Sequence, residues 1–187
     1  MKSCYSDFYI SLSVDLNNQL KEQIKKLQKK VGLQTGIKFY YKNSPNLHIN
    51  IISGHVNEKI FKKFKNIKSL KITSKNVLIT NGIGSFIGKK TTVYLRYKNN
   101  QFLKELRKKL FNNYKKYFEI VDNTAKDDIW MPKTTIINEI IKKNKYNHLM
   151  KILSNFKLDK SFYKSNKLLL FKIVENKEFL VNKMKLF

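Results

Sequence analysis

From Phe8 to Val14 the chain reads FYISLSV, a run rich in β-branched and aromatic residues that predicts a strand. Asp15 follows where a helix N-cap would stand, ahead of LNNQLKEQIKKLQKKVG, in which Leu20, Ile24, Leu27 and Val31 recur at helical spacing and Gly32 supplies a terminator. A polar connector containing Asn43, Ser44 and Pro45 leads into LHINIIS, a second strand closed by Gly54, and then EKIFKKFKNI, a short helix. SLKITSKNVLIT alternates well enough for one or two strands. The three glycines of NGIGSFIGKK predict a loop or turn, and TTVYLRY a further strand. QFLKELRKKLFNNYKKYF places Phe102, Leu106 and Leu110 on one side of an amphipathic helix. After a polar, loop-like DNTAKDDIW come MPKTTII as a strand, NEIIKKNKYNHLMKILSNF as a helix, and KLLLFKIV and FLVNKMKLF as a terminal hairpin. This order predicts an α+β fold with two similar halves, each pairing strands with helices.

Each half holds one strand with two polar positions on the same face. In NLHINII, period-two geometry puts His48 and Asn50 on one side and Leu47, Ile49 and Ile51 on the other. In WMPKTTII the same geometry groups Lys133 with Thr135 and turns Thr134 and Ile136 the opposite way. His55 lies an odd number of positions from His48 and beyond Gly54, so it is expected to face away, within a turn. His148 falls in the helix after the second motif and reads as a surface histidine.

Composition adds bounds. With 187 residues, 42% hydrophobic, thirteen Phe and ten Tyr, the chain can bury a core as one domain, residues 1–187. A formal charge of +26 suits a polyanion such as RNA, since clustered lysines displace phosphate counterions. Yet Arg96 and Arg107 are the only arginines, and Lys, Asn and Ile share A- and T-rich codons, so a skewed genome explains the excess equally well. Cys4 stands alone, which excludes an intrachain disulfide and fits a reducing compartment. His48, His55 and His148 have no Cys or His at zinc spacing, so no metal and no cofactor is expected. No run approaches the roughly 18 apolar residues of a membrane helix, and no signal peptide is visible, so a cytoplasmic protein with no membrane association is expected.

Taken together, the two strands resemble the paired motifs of the 2H phosphoesterases of the 2′-5′ RNA ligase-like type. In that family each motif strand bears a His-x-Thr or His-x-Ser pair, the second typically after an aromatic and a proline. Here Leu47, His48 and Asn50 form the first, and Trp130, Pro132, Lys133 and Thr135 the second. The opening FYISLSVDLNNQLKEQI, the stretch NGIGSFIGKKTTVYLRYKNNQFLKELRKKL and the closing hairpin are similar to the family's flanking elements, so the likeness spans the whole chain. It implies a bilobal fold, with antiparallel sheets around a central cleft, acting on RNA or nucleotide 2′,3′-cyclic or 2′-5′ phosphodiesters. It places His48 and Lys133 at the catalytic positions and Asn50 and Thr135 on the phosphate oxygens. Phe86, in the glycine-bearing segment, either stacks on a base or packs in the core. Lys89 and Lys90 read as phosphate contacts or as part of the lysine excess, and Trp130 as a further contact or a packing residue. A monomer is favoured.

Opening a cyclic phosphodiester needs a base for water and an acid for the departing ribose oxygen, and imidazoles of pKa about 6.5 serve both roles near neutrality. A carboxamide at Asn50 still donates to phosphate. A lysine in place of the second histidine is a larger change, because an ammonium of reference pKa about 10.4 does not act as a base at neutral pH. Two readings follow: a phosphoesterase whose mechanism Lys133 alters, or a catalytically inactive RNA- or nucleotide-binding protein of the same fold. A third is a basic RNA-associated protein whose bulk charge is the functional feature.

Overall fold

The computed structural model describes residues 8–36, 47–86, 90–118, 130–175 and 177–187. Lys89, Cys4, the Asn43–Ser44–Pro45 connector and most of DNTAKDDIW lie outside them. Strand β1 (Phe8–Asp15) leads into helix α1 (Asn18–Thr35), followed by β2 (His48–Val56), α2 (Glu58–Lys65), β3 (Ser69–Leu70), β4 (Val77–Phe86), β5 (Thr91–Tyr97) and α3 (Gln101–Tyr114). Then come β6 (Lys133–Glu139), α4 (Lys143–Ser154), β7 (Phe162–Lys164), β8 (Lys167–Val174) and β9 (Lys177–Leu186).

Two sheets result, with strand orders β2-β1-β8-β9-β3 and β6-β5-β4-β7. Every pairing is antiparallel except the short parallel contact of β3 with β9. The expected α+β, bilobal architecture with antiparallel sheets is therefore the one observed. The contiguous core joins both halves: Ile10, Leu12 and Val14 of β1, Leu20, Ile24 and Leu27 of α1, Leu103 and Leu106 of α3, and Leu168 and Leu170 of β8 are all buried.

Several boundaries differ from expectation for identifiable reasons. Asp15 ends β1 and binds Lys21 Nζ at 2.5 Å; the α1 cap is Asn17, whose side chain accepts from the Leu20 amide at 3.2 Å. Asn57 and Asn100 cap α2 and α3 in the same way, satisfying amides that a helix start leaves unpaired. Helix α1 runs through Gly32 and stops at Gly36, whose amide bonds the Gly32 carbonyl at 2.9 Å. Burial of Val31 and Thr35 draws the helix past the first glycine. The strand of the second motif continues to Glu139, so α4 starts at Lys143, later than the helical pattern predicts.

The glycine-bearing segment is not a loop: NGIGSF forms the second half of β4. The register against β5 slips between Thr80 and Ile83, and Gly82, at φ 79°, occupies this irregularity. Gly84 has a different reason. A Cβ there would lie 2.6 Å from the Tyr94 ring, so only glycine lets that ring lie across the strand.

Candidate functional site at the seam of the two sheets

Strand β2 is the edge of the first sheet and β6 the edge of the second, and the two edges meet. Thr134 Oγ1 donates to the His48 carbonyl at 2.9 Å and takes a hydrogen bond from the buried Tyr97 hydroxyl at 3.0 Å. A threonine hydroxyl has one proton, so the first bond fixes the direction of the second. Burial pushes the Tyr97 phenol well above its ordinary range, so it remains a donor. The backbone of the first motif is thus tied to the middle residue of the second.

Both motif strands carry a one-residue bulge at the equivalent place. In β2, Leu12 pairs with Ile52 and Ser13 with Asn50, leaving Ile51 unpaired. In β6, Val93 pairs with Ile137 and Tyr94 with Thr135, leaving Ile136 unpaired. Each extra residue exposes a carbonyl to an apolar interior, and each is met by a buried polar side chain from the opposite half. Arg107 of α3, 4% exposed, donates Nη1 to the Ile51 carbonyl at 2.7 Å, and Gln28 of α1, 6% exposed, donates Nε2 to the Ile136 carbonyl at 2.7 Å. Without them two buried acceptors would be orphaned.

The polar pairs sit where alternation puts them. His48 is half-buried and Asn50 exposed, with Ile49, Ile51 and Ile52 in the core. Lys133 is half-buried and Thr135 exposed, with Thr134 and Ile136 turned inward. The bulge changes one expectation. Because Ile51 and Ile52 both point inward, the alternation resets, and Ser53 and His55 return to the face of His48 and Asn50. Far from lying in a turn, His55 belongs to β2, which runs through Gly54 to Val56. Its ring meets Tyr9 edge-on at 5.0 Å. His148 is on the exposed side of α4.

Asn50 is held at both ends. Its Oδ1 accepts from Ser11 Oγ at 3.1 Å and its Nδ2 donates to Ser53 Oγ at 3.2 Å, which leaves a second N–H for a ligand. Lys133 Nζ lies over two rings, 5.0 Å from the centre of Phe86 and 5.5 Å from that of Tyr94, and these rings pack 4.8 Å apart. Phe86 is 50% exposed, so one side of it remains open. Trp130 packs on the Arg107 guanidinium at 4.5 Å and against the core.

Three contributors were not apparent in the sequence. Tyr94 supports Lys133, and nothing in TTVYLRY marks it. The Phe171 ring of β8 lies tilted against His48 at 4.8 Å. Glu178 of β9 also approaches His48, its Oε1 3.7 Å from Nε2, with the two side chains 20% and 12% exposed. Burial lifts the Glu178 carboxyl from 4.5 to about 7. Among the described residues no group of His, Cys, Asp or Glu is arranged to hold a metal ion, and no helix is long and apolar enough to cross a membrane.

No family model matches this chain, and no curated protein matches it at significance. Solved structures do. E. coli LigT in its apo form superposes with a TM-score of 0.60 at 13% identity, covering 96% of this chain and 98% of that one. The same protein complexed with 3′-AMP gives 0.59, and complexed with phosphate 0.57, at the same identity and coverage. Across nearly its whole length, then, this chain is similar in structure to E. coli LigT, and it has that bilobal α+β fold.

Proposed function

We propose that the chain is a 2H-type phosphoesterase-like protein that binds RNA or nucleotide 2′,3′-cyclic or 2′-5′ phosphodiesters along the β2–β6 seam. The observation that carries this reading is the matched pair of edge strands, each presenting two polar side chains away from the core, each bulged after the second, and joined by Thr134. His48 supplies the proton-transfer imidazole. Asn50 and Thr135 donate to non-bridging phosphate oxygens, and Lys133 adds a full positive charge. The open side of Phe86 suits stacking with a base. LigT structures with 3′-AMP and with phosphate agree with an anion of this class.

Lys133 supports a second reading, a binding protein without turnover. Its ammonium lies over two aromatic faces, a cation–π seat that suits clamping a phosphate. Incubation with nucleoside 2′,3′-cyclic phosphates separates the two. Turnover by the wild type that disappears in His48→Ala establishes the enzyme. Binding without turnover, with turnover gained in Lys133→His, establishes the inactive binder. Salt-sensitive binding to any polyanion, indifferent to both substitutions, would refute a seam site of either kind.

A further inference from the structure

Among the described residues, the seam holds an acid that the two strand motifs do not explain. Glu178 reaches across from β9, two strands away from β1 in the same sheet, to within 3.7 Å of His48 Nε2. Its Oε2 is buried and has no hydrogen-bond partner. A chain with 13 acidic and 39 basic residues has many cations with which to pair a carboxylate. Here it is set against an imidazole instead. That imidazole also meets the Phe171 ring, itself fully buried. Among the described residues the imidazole thus meets an apolar ring and a carboxyl group.

We propose that Glu178 is a positioning residue for His48, the two forming a proton-sharing pair that orients the imidazole and sets the pH range over which it exchanges protons. This rests on the reading of His48 as the proton-transfer group. With a lysine at the second motif, the site has lost one of the two groups that titrate near neutrality in a two-histidine arrangement. Glu178 restores a second such group, next to the first and on its side of the seam. Two ionisable groups this close titrate as a pair, with macroscopic steps that belong to neither alone. With the carboxylate ionised, the imidazolium is favoured; with the acid protonated, the ring is released as a neutral base.

Among the described residues, the charged and titratable groups around the pair can be read from the sheet register. In the sheet register, Glu178 is opposite Ile173, which is opposite Tyr9, which is opposite His55, so Tyr9 and His55 are the titratable groups of that row. Lys172 is one position out of step and lies over the Phe8 ring at 4.2 Å. Lys177 and Glu175 flank Glu178 in the hairpin and are exposed. From the second sheet, Lys133 is engaged with Phe86 and Tyr94.

The test is an NMR titration of the His48 ring in the full chain without ligand, comparing wild type with Glu178→Gln. Removing an opposite charge at this distance is expected to lower the His48 midpoint by about one pH unit and to reduce two coupled steps to one. If wild type turns over cyclic nucleotides, the acidic limb of its kcat/KM profile, which reports the ring acting as a base, moves down in pH by the same amount. A His48 titration curve that superimposes on wild type overturns the pairing, whatever the activity. Should Glu178→Gln fail to fold, Glu178→Asp withdraws the carboxyl by one methylene; an intermediate midpoint supports the pair, and an unchanged midpoint overturns it. Because the titration needs no substrate, the pairing can fail while turnover stands. Absent turnover would sink the phosphoesterase reading without touching the titration result.

Discussion

Thr134→Val would test whether the two edge strands are held together as described. Valine keeps the shape of threonine but removes the hydroxyl, so the His48 carbonyl loses its donor at 2.9 Å and the Tyr97 hydroxyl its acceptor at 3.0 Å. Tyr97 is 3% exposed and Thr134 1%, so water does not readily replace either bond. Each stranded group costs roughly 1–3 kcal/mol, giving about 2–6 kcal/mol in total. For a chain of this size that is a fall in Tm of about 4–24 °C, at roughly 2–4 °C per kcal/mol. Tyr97→Phe alone is expected to cost only about 1 kcal/mol, since Thr134 still reaches His48. The double variant should be more stable than Thr134→Val, because the stranded phenol is gone. Urea unfolding of the four proteins gives the coupling energy directly. A Thr134→Val protein within about 0.5 kcal/mol of wild type, or a Tyr97→Phe loss that adds in full to it, would refute this account of the seam.

Gly84→Ala places a methyl 2.6 Å from the Tyr94 ring and is expected to destabilise by about 1–3 kcal/mol, as overpacked sites do, and to weaken phosphate binding by displacing the ring beneath Lys133; thermal melting and phosphate titration read the two effects. For Glu178 the folded carboxyl lies near 7 against an ordinary 4.5, so folding favours its protonated form. That contribution is complete below about pH 4.5 and is lost as pH rises through 7; after discounting for solvent screening it is worth about 2 kcal/mol, visible as a falling wild-type Tm between pH 5 and 8 that flattens in Glu178→Gln.

The motif strands were legible because burial on one side and exposure on the other imposes a period of two, which NLHINII and MPKTTII display. The same rule misplaced His55, since a bulge at Ile51 resets the period and leaves no mark in composition. Glycines in NGIGSF suggested a loop because glycine favours turns. In the fold they serve a register slip at Gly82 and a ring contact at Gly84, both of which depend on β5. Glu178 was invisible for a related reason. It stands 130 positions from His48, and only the strand order of the first sheet brings them together. Local pattern predicts the face a residue takes; it does not predict the distant residue it meets there.

The crossed bonds from Arg107 to Ile51 and from Gln28 to Ile136 give the two halves a reciprocal dependence. Each half supplies the brace for the other's motif strand, so neither could shed its helix and leave its partner's geometry intact. A substitution at Arg107 would be felt first at His48 and Asn50, in the half that does not contain it, and one at Gln28 would be felt at Lys133 and Thr135. Had one motif been lost by drift, its helix would still be retained for the sake of the other.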